Sequence, residues 1–166
     1  MVFVAITESI FLHKTIFNSI KKGIVMNRLE MPLLKITFKC KGENLNFQDI
    51  SDTLRIMPTR TRVKNSFPPL SRTVGVASDV WEYSIEKQSA RSLSEMIDGI
   101  AVLLGDKAAE LNYLREKYHA EYIMAVVIHS YMMQSPTMIL TRKDIEFLHD
   151  IHCIIDIDAY QYENKQ

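Results

Sequence analysis

An excess of charge of either sign is the first thing missing. Twenty lysines and arginines balance twenty aspartates and glutamates, for a formal net charge of +0. Such a chain has no global pull toward nucleic acid or anionic membrane; only a local patch could supply one. Glycine is scarce, with five in the whole chain. That leaves little material for a glycine-built phosphate cradle, and neither G-x-G-x-x-G nor G-x-x-x-x-G-K-[ST] occurs. The nucleophile elbow G-x-S-x-G and the zinc motif H-E-x-x-H are absent too. Two cysteines, Cys40 and Cys153, are too few for a disulfide framework and form no C-x-x-C pair. They are expected to be reduced, buried thiols of a cytoplasmic protein. No apolar run approaches the roughly 20 residues that span a bilayer, so no membrane role is expected.

What is present is an ordinary globular composition. The 166 residues are 47% hydrophobic and 24% charged, which suits one domain with a sizeable core. Residues 1–30 stand apart. They begin apolar, yet carry Glu8 and place Lys14, Lys21 and Lys22 after the apolar part, the reverse of a secretory signal. Two readings stay open: an amphipathic helix, or a leader ahead of a native start at Met26 or Met31. A single domain is assigned to 31–163, with 164–166 as a tail.

Periodicity organises the rest. "PLLKITFKCKG" alternates, with Leu34, Ile36, Phe38 and Cys40 on one face and Lys35, Thr37, Lys39 and Lys41 on the other, which predicts a half-buried strand. "NFQDISDTLRIMP" reads as a helix capped by Asn46 and ended at Pro58. Residues 59–79 show no period and read as a long loop. "VWEYSIEK" is a strand. "SLSEMIDGIAVLL" is a helix opened by Ser92-x-x-Glu95 and broken at Gly105, with a second helical segment through "KAAELNYLREKY". "AEYIMAVVIHSYMM" predicts a central strand and "TMIL" a short one. "TRKDIEFLHDIH" is a helix capped by Thr141, and "CIIDIDAYQY" closes as a strand. The helices need one sheet face to cover, and the lysines of the first strand need a wet one. The expected class is α+β: a mixed or mostly antiparallel sheet with helices mainly on one face, in a ferredoxin-like split βαβ variant with an inserted helix.

Three groups of residues bear on chemistry. His149, His152, Cys153 and Asp156 are metal-ligand types within eight positions. The histidines, however, lack paired zinc spacing, and no second pair lies elsewhere. Imidazoles finishing a helix, where donors meet the last carbonyls, are the plainer reading. A metal-binding or hydrolytic site there is kept as the alternative. Asp156 and Asp158 share one strand face, but no third group is placed to make them an acid/base pair. A solvated face that resists edge pairing is preferred, and at a sheet edge the pair could meet a basic partner. The third group is a basic loop, Arg60, Arg62, Lys64 and Arg72, with Phe67 among them. It could hold an acidic protein surface. Nucleic acid ranks lower, because no wide basic face or aromatic platform accompanies the loop. His119, His129 and Trp81 are expected to be structural.

"LLKITFKC", "DISDTLRIMPT", "VWEYSIE", "SLSEMIDGIAVLL" and "LTRKDIEFLHDIHCIIDIDAY" follow one another, the last ending in Asp-hydrophobic-Asp-x-Tyr. In that order, from about Leu33 to Tyr162, they resemble the bacterial "domain of unknown function 4279" family. The "IHC" turn departs from the small, often glycine-containing turn of that pattern. The resemblance implies a small cytoplasmic α+β protein without established catalytic residues, some of whose relatives look like immunity proteins that neutralise a toxin. Its recurring residues, here Pro58, Trp81, Asp158 and Tyr160, read as turn, core and strand-end features. The expectation is a non-enzymatic protein-binding module without cofactor or metal. Its candidate contact residues are Arg60, Arg62, Lys64, Phe67, Arg72, Asp156 and Asp158.

Overall fold

A computed structural model describes residues 32–66, 77–88, 91–131 and 136–162. Phe67, Arg72 and the N-terminal leader lie outside the described residues. Among these described residues, five strands and four α-helices follow in the order β1 (Leu33–Gly42), α1 (Phe47–Leu54), β2 (Arg60–Arg62), β3 (Asp79–Gln88), α2 (Leu93–Leu104), α3 (Ala108–Tyr118), β4 (Glu121–Tyr131), α4 (Arg142–Asp150) and β5 (Cys153–Tyr162).

β1 lies at the centre because it is flanked on both sides. It pairs antiparallel with β3 and with β4, β2 pairs antiparallel with β3, and β5 runs parallel to β4. The strand order is β2-β3-β1-β4-β5. β1 and β2 therefore run in the same direction on either side of β3, which is a split βαβ unit closed by α1. With β4 on the other flank of β1, this is the ferredoxin-like order. It is extended by a doubled crossover, α2 and α3, and by an added α4–β5 unit at one edge. The sheet is mixed, and the class is α+β.

The alternation in β1 decides which face is covered. Leu34, Ile36, Phe38 and Cys40 are fully buried, and join Trp81, Tyr122, Met124, Val126 and Ile128 in one core beneath the helices. The helices supply Ile50 and Leu54, Met96, Ile97, Ile100 and Leu104, Leu111 and Leu114, and Leu148. Phe38 meets the Trp81 ring edge-on and lies against Tyr122. Polar handles of the aromatics are satisfied: Trp81 donates to Ser51 Oγ at 3.0 Å and Tyr122 to the Leu111 carbonyl at 2.6 Å.

Helix ends follow local chemistry. Asn46 and Ser92 accept from the amides of Asp49 and Glu95, and Thr141 forms a complete capping box with Asp144. α1 stops before Pro58, because Arg55 turns left-handed at φ 55° and donates its amide to Ser51. His119 and His152 adopt the same conformation after α3 and α4, at φ 49° and 51°. Two expectations are corrected. The 59–79 loop contains the edge strand β2 and a 3-10 turn, Lys64–Ser66, because Arg60–Arg62 finds β3 as a partner. "TMIL" is not a strand: Thr137 makes one isolated bridge to Ser92 and the pairing goes no further.

Candidate functional site

The face of the sheet that no described helix covers is built by the residues that the core alternation leaves over. Register sets Arg60 beside Glu82, Glu82 beside Lys39, Lys39 beside Ile123 and Ile123 beside Ile154. Counting by twos from there, Arg60, Arg62, Asp156 and Asp158 all lie on this one face. They sit on opposite edges, separated by four inter-strand steps of about 4.8 Å each. The structure thus brings the predicted basic and acidic residues to one surface but not to one site.

Their surroundings differ. Arg62 donates to Glu82 at 3.0 Å, and Lys64 Nζ reaches Glu43 at 2.7 Å. Across β1 and its neighbours, Lys35 stands opposite Glu86, Lys39 opposite Glu82, and Lys41 is 4.0 Å from Glu121. Two members of the basic stretch, Arg62 and Lys64, thus find acids within the fold, whereas Arg60 is exposed beside Glu82. Asp156 and Asp158 instead stand beside Ala125 and Val127, are exposed, and have no ion pair with any described residue. The sheet leaves its uncompensated acidity on β5.

β5 has two further properties. It is an edge strand of ten residues, with no strand on its outer side among the described residues. It is also unusually apolar for so exposed a strand: Ile154, Ile157, Tyr160 and Tyr162 are 52%, 41%, 49% and 40% accessible. The His129 ring stacks on both Tyr160 and Tyr162, and its Nδ1 lies 2.9 Å from the Tyr162 hydroxyl. Sequence reasoning passed over Tyr160, Tyr162 and His129 as contact residues. The period of two already placed both tyrosines on the face of Asp156 and Asp158. Only the pairing with β4 adds His129.

The alternative cluster does not converge. Cys153 is opposite Tyr122 on the helix-covered face, while Asp156 is on the other. Burial pushes the Cys153 thiol up to about 12, the behaviour of a thiol packed against the core. His149 and His152 have ring centroids 6.2 Å apart, and His149 Nδ1 lies 3.6 Å from Asp150. Among the described residues no group of three His, Cys, Asp or Glu is placed to hold a metal ion. Nor do the imidazoles cap α4. Backbone amides of Ile151 and His152 take the Phe147 and His149 carbonyls, and His152 contributes the left-handed turn that starts β5. A hollow lined by Glu43, Asn44, Lys64 and Asp79 is a structural joint, since the Asp79 carboxylate is held by the amides of Leu45 and Lys64.

Among the described residues no helix is long and apolar enough to cross a membrane. No curated protein and no solved structure matches the chain. A family model described as "Domain of unknown function (DUF4279)" matches residues 32–162, from the start of β1 to the last residue of β5. That span takes in the whole described sheet, its acidic edge included, and the chain belongs to the DUF4279 family.

Proposed function

We propose that this protein is a non-enzymatic, cytoplasmic protein-binding module that receives its partner at the β5 edge, as an immunity protein would receive a toxin. The observation that carries this reading is the state of that edge. Ten residues of strand present an open backbone rim, exposed apolar side chains and two carboxylates without a cation among the described residues. Long, flat, apolar edges invite pairing and are ordinarily blunted. One kept open is accounted for by a partner that covers it. Nucleic acid is the weaker reading, since carboxylates at the rim repel phosphate. A hydrolytic or metal site built on His149, His152, Cys153 and Asp156 would need side chains that the sheet holds on opposite faces.

A photo-crosslinking amino acid at Ile154, introduced in the native host, tests this against the same group at Val102, which is 83% exposed on α2. The expected result is one defined adduct from position 154 and none from 102. The captured polypeptide should then bind the purified chain stoichiometrically. In the immunity role it should arrest growth when expressed alone and not when co-expressed. No adduct from either position, or equal adducts from both, would defeat the reading.

A further inference from the structure

On the face that no described helix covers, β5 presents Asp156, Asp158, Tyr160 and Tyr162 in alternation, two carboxylates followed by two half-exposed rings. Neither carboxylate has an ion pair with a described residue, and the rings lean on His129. We infer that β5 accepts an extended, arginine-bearing segment of a partner protein as a sixth strand, with arginines at alternate positions set against Asp156, Asp158 and the Tyr160 ring. This rests on the protein-binding reading above and specifies the partner's chemistry.

Three features support that occupant. A strand added to an edge repeats the same period of two, so carboxylates at i and i+2 meet side chains at alternate positions of the newcomer. The open N–H and C=O rim then provides affinity, and the side chains provide selection. Arginine fits better than lysine because its planar guanidinium can bind a carboxylate in bidentate fashion while its face stacks on an aromatic ring. Asp158 and Tyr160 are two residues apart, about 7 Å along a strand, within the span of one long side chain. Cation–ring contact gains strength once an added strand shields the half-exposed Tyr160 ring from water.

The same charges count against a second copy of this chain. A two-fold antiparallel β5–β5 pairing that continues the sheet sets same-face residues opposite each other. Registers centred on Asp156, Ile157 or Asp158 each place an aspartate against an aspartate, which is unfavourable. The acidic pair therefore disfavours self-pairing in those central registers and admits a cationic strand, so one feature provides both protection and selectivity.

The test uses the full chain, isotopically labelled, and a short peptide alternating arginine and threonine. Its comparators are the lysine-for-arginine peptide and a peptide of the same composition with its arginines contiguous. Saturable binding is expected, with amide shifts and slowed exchange concentrated on residues 153–162. Affinity should fall about tenfold or more for the double variant Asp156→Asn/Asp158→Asn and severalfold for Tyr160→Ala. Lysine and contiguous-arginine peptides should bind more weakly. Each variant's amide spectrum must match that of the parent, so that loss of folding is not read as loss of binding. Equal affinity for alternating and contiguous peptides would reduce the effect to bulk charge and overturn the inference. So would shifts centred on β2, or β5 amides already protected in the free chain by a second copy or by its own residues. If position 154 still crosslinks to a partner in the host while the peptide fails, the inference falls and the protein-binding reading stands. Failure of both overturns both.

Discussion

The two edges of this sheet are built to opposite specifications. At one, β2 is three residues long, and the fold spends its polar groups on closing it. Arg62 is tied to Glu82, and the Thr59 amide donates to the Glu82 carbonyl at 2.8 Å. The Thr59 hydroxyl also receives the Ser84 amide at 3.1 Å, so the rim of β3 stays satisfied beyond the end of β2. At the other edge, β5 is ten residues long, exposes isoleucines and tyrosines, and carries acids that nothing described neutralises. On β2 Arg62 is paired within the fold while Arg60 is exposed, and the carboxylates of β5 face outward. A basic cluster and an acidic cluster that look equivalent in the sequence differ in the fold, because only the basic one has members, Arg62 and Lys64, met by acids from elsewhere in the chain.

The contrast can be broken most strongly at Glu82. This residue is 8% exposed and its carboxylate accepts from Arg62. Glu82→Ala should destabilise the protein by about 2 kcal/mol, the usual scale for removing one partner from a partly buried charged hydrogen bond. Denaturant unfolding measures it. A change below about 0.5 kcal/mol, the range of ordinary surface substitutions, would mean that the β2 edge is not held as described.

Asp144 comes next, since it seats the helix that delivers β5. Burial alone would raise its carboxyl, but hydrogen bonds from Ser94 and Thr141 outweigh burial and hold it below the usual carboxylate value. A depressed folded-state value means that this stabilisation is present above the unfolded-state value of about 4 and is lost as pH falls through the lower folded-state one. Asp144→Ala should cost about 1 kcal/mol at neutral pH, as loss of a helix cap does. The gap from the parent should narrow on acidification below about pH 4. Urea midpoints measured across that range would show it, and a gap independent of pH would contradict the assignment.

The smallest effect on stability belongs to the outward edge. Asp156→Asn with Asp158→Asn should change stability by less than about 0.5 kcal/mol, as exposed residues without partners do. The same change should weaken partner binding. Comparing its unfolding curve with that of Glu82→Ala sharpens the proposed contrast: stability at one edge and recognition at the other. A loss of stability comparable to that of Glu82→Ala would erase the distinction.

Much of the architecture was legible because its signals are local. Alternation marked β1, β3 and β5, and Asn46, Ser92 and Thr141 marked three helix starts. The site was legible only in part. Asp156 and Asp158 were placed correctly on one face, but Arg62 and Lys64 were read as available for a partner. Their acids, Glu82 and Glu43, are about twenty residues away in the chain and meet them only through the fold. β2 was missed because three polar residues show no alternation. They form a strand because β3 offers them a ladder. His152 was read as a helix-capping imidazole, whereas its backbone makes the turn in a left-handed conformation that residue type predicts poorly outside glycine.

By itself the sequence determined which residues turn inward, because the periods of strand and helix act over a few neighbours and bury whatever is apolar at that spacing. It also determined that the acids and tyrosines of β5 share a face. The tertiary structure alone decided that β5 lies at an edge, that β2 closes the other edge, and that Arg62 and Lys64 find their acids inside the fold. Those outcomes depend on which strands pair and in what register, and such long-range choices follow from the packing of the whole core rather than from any local window.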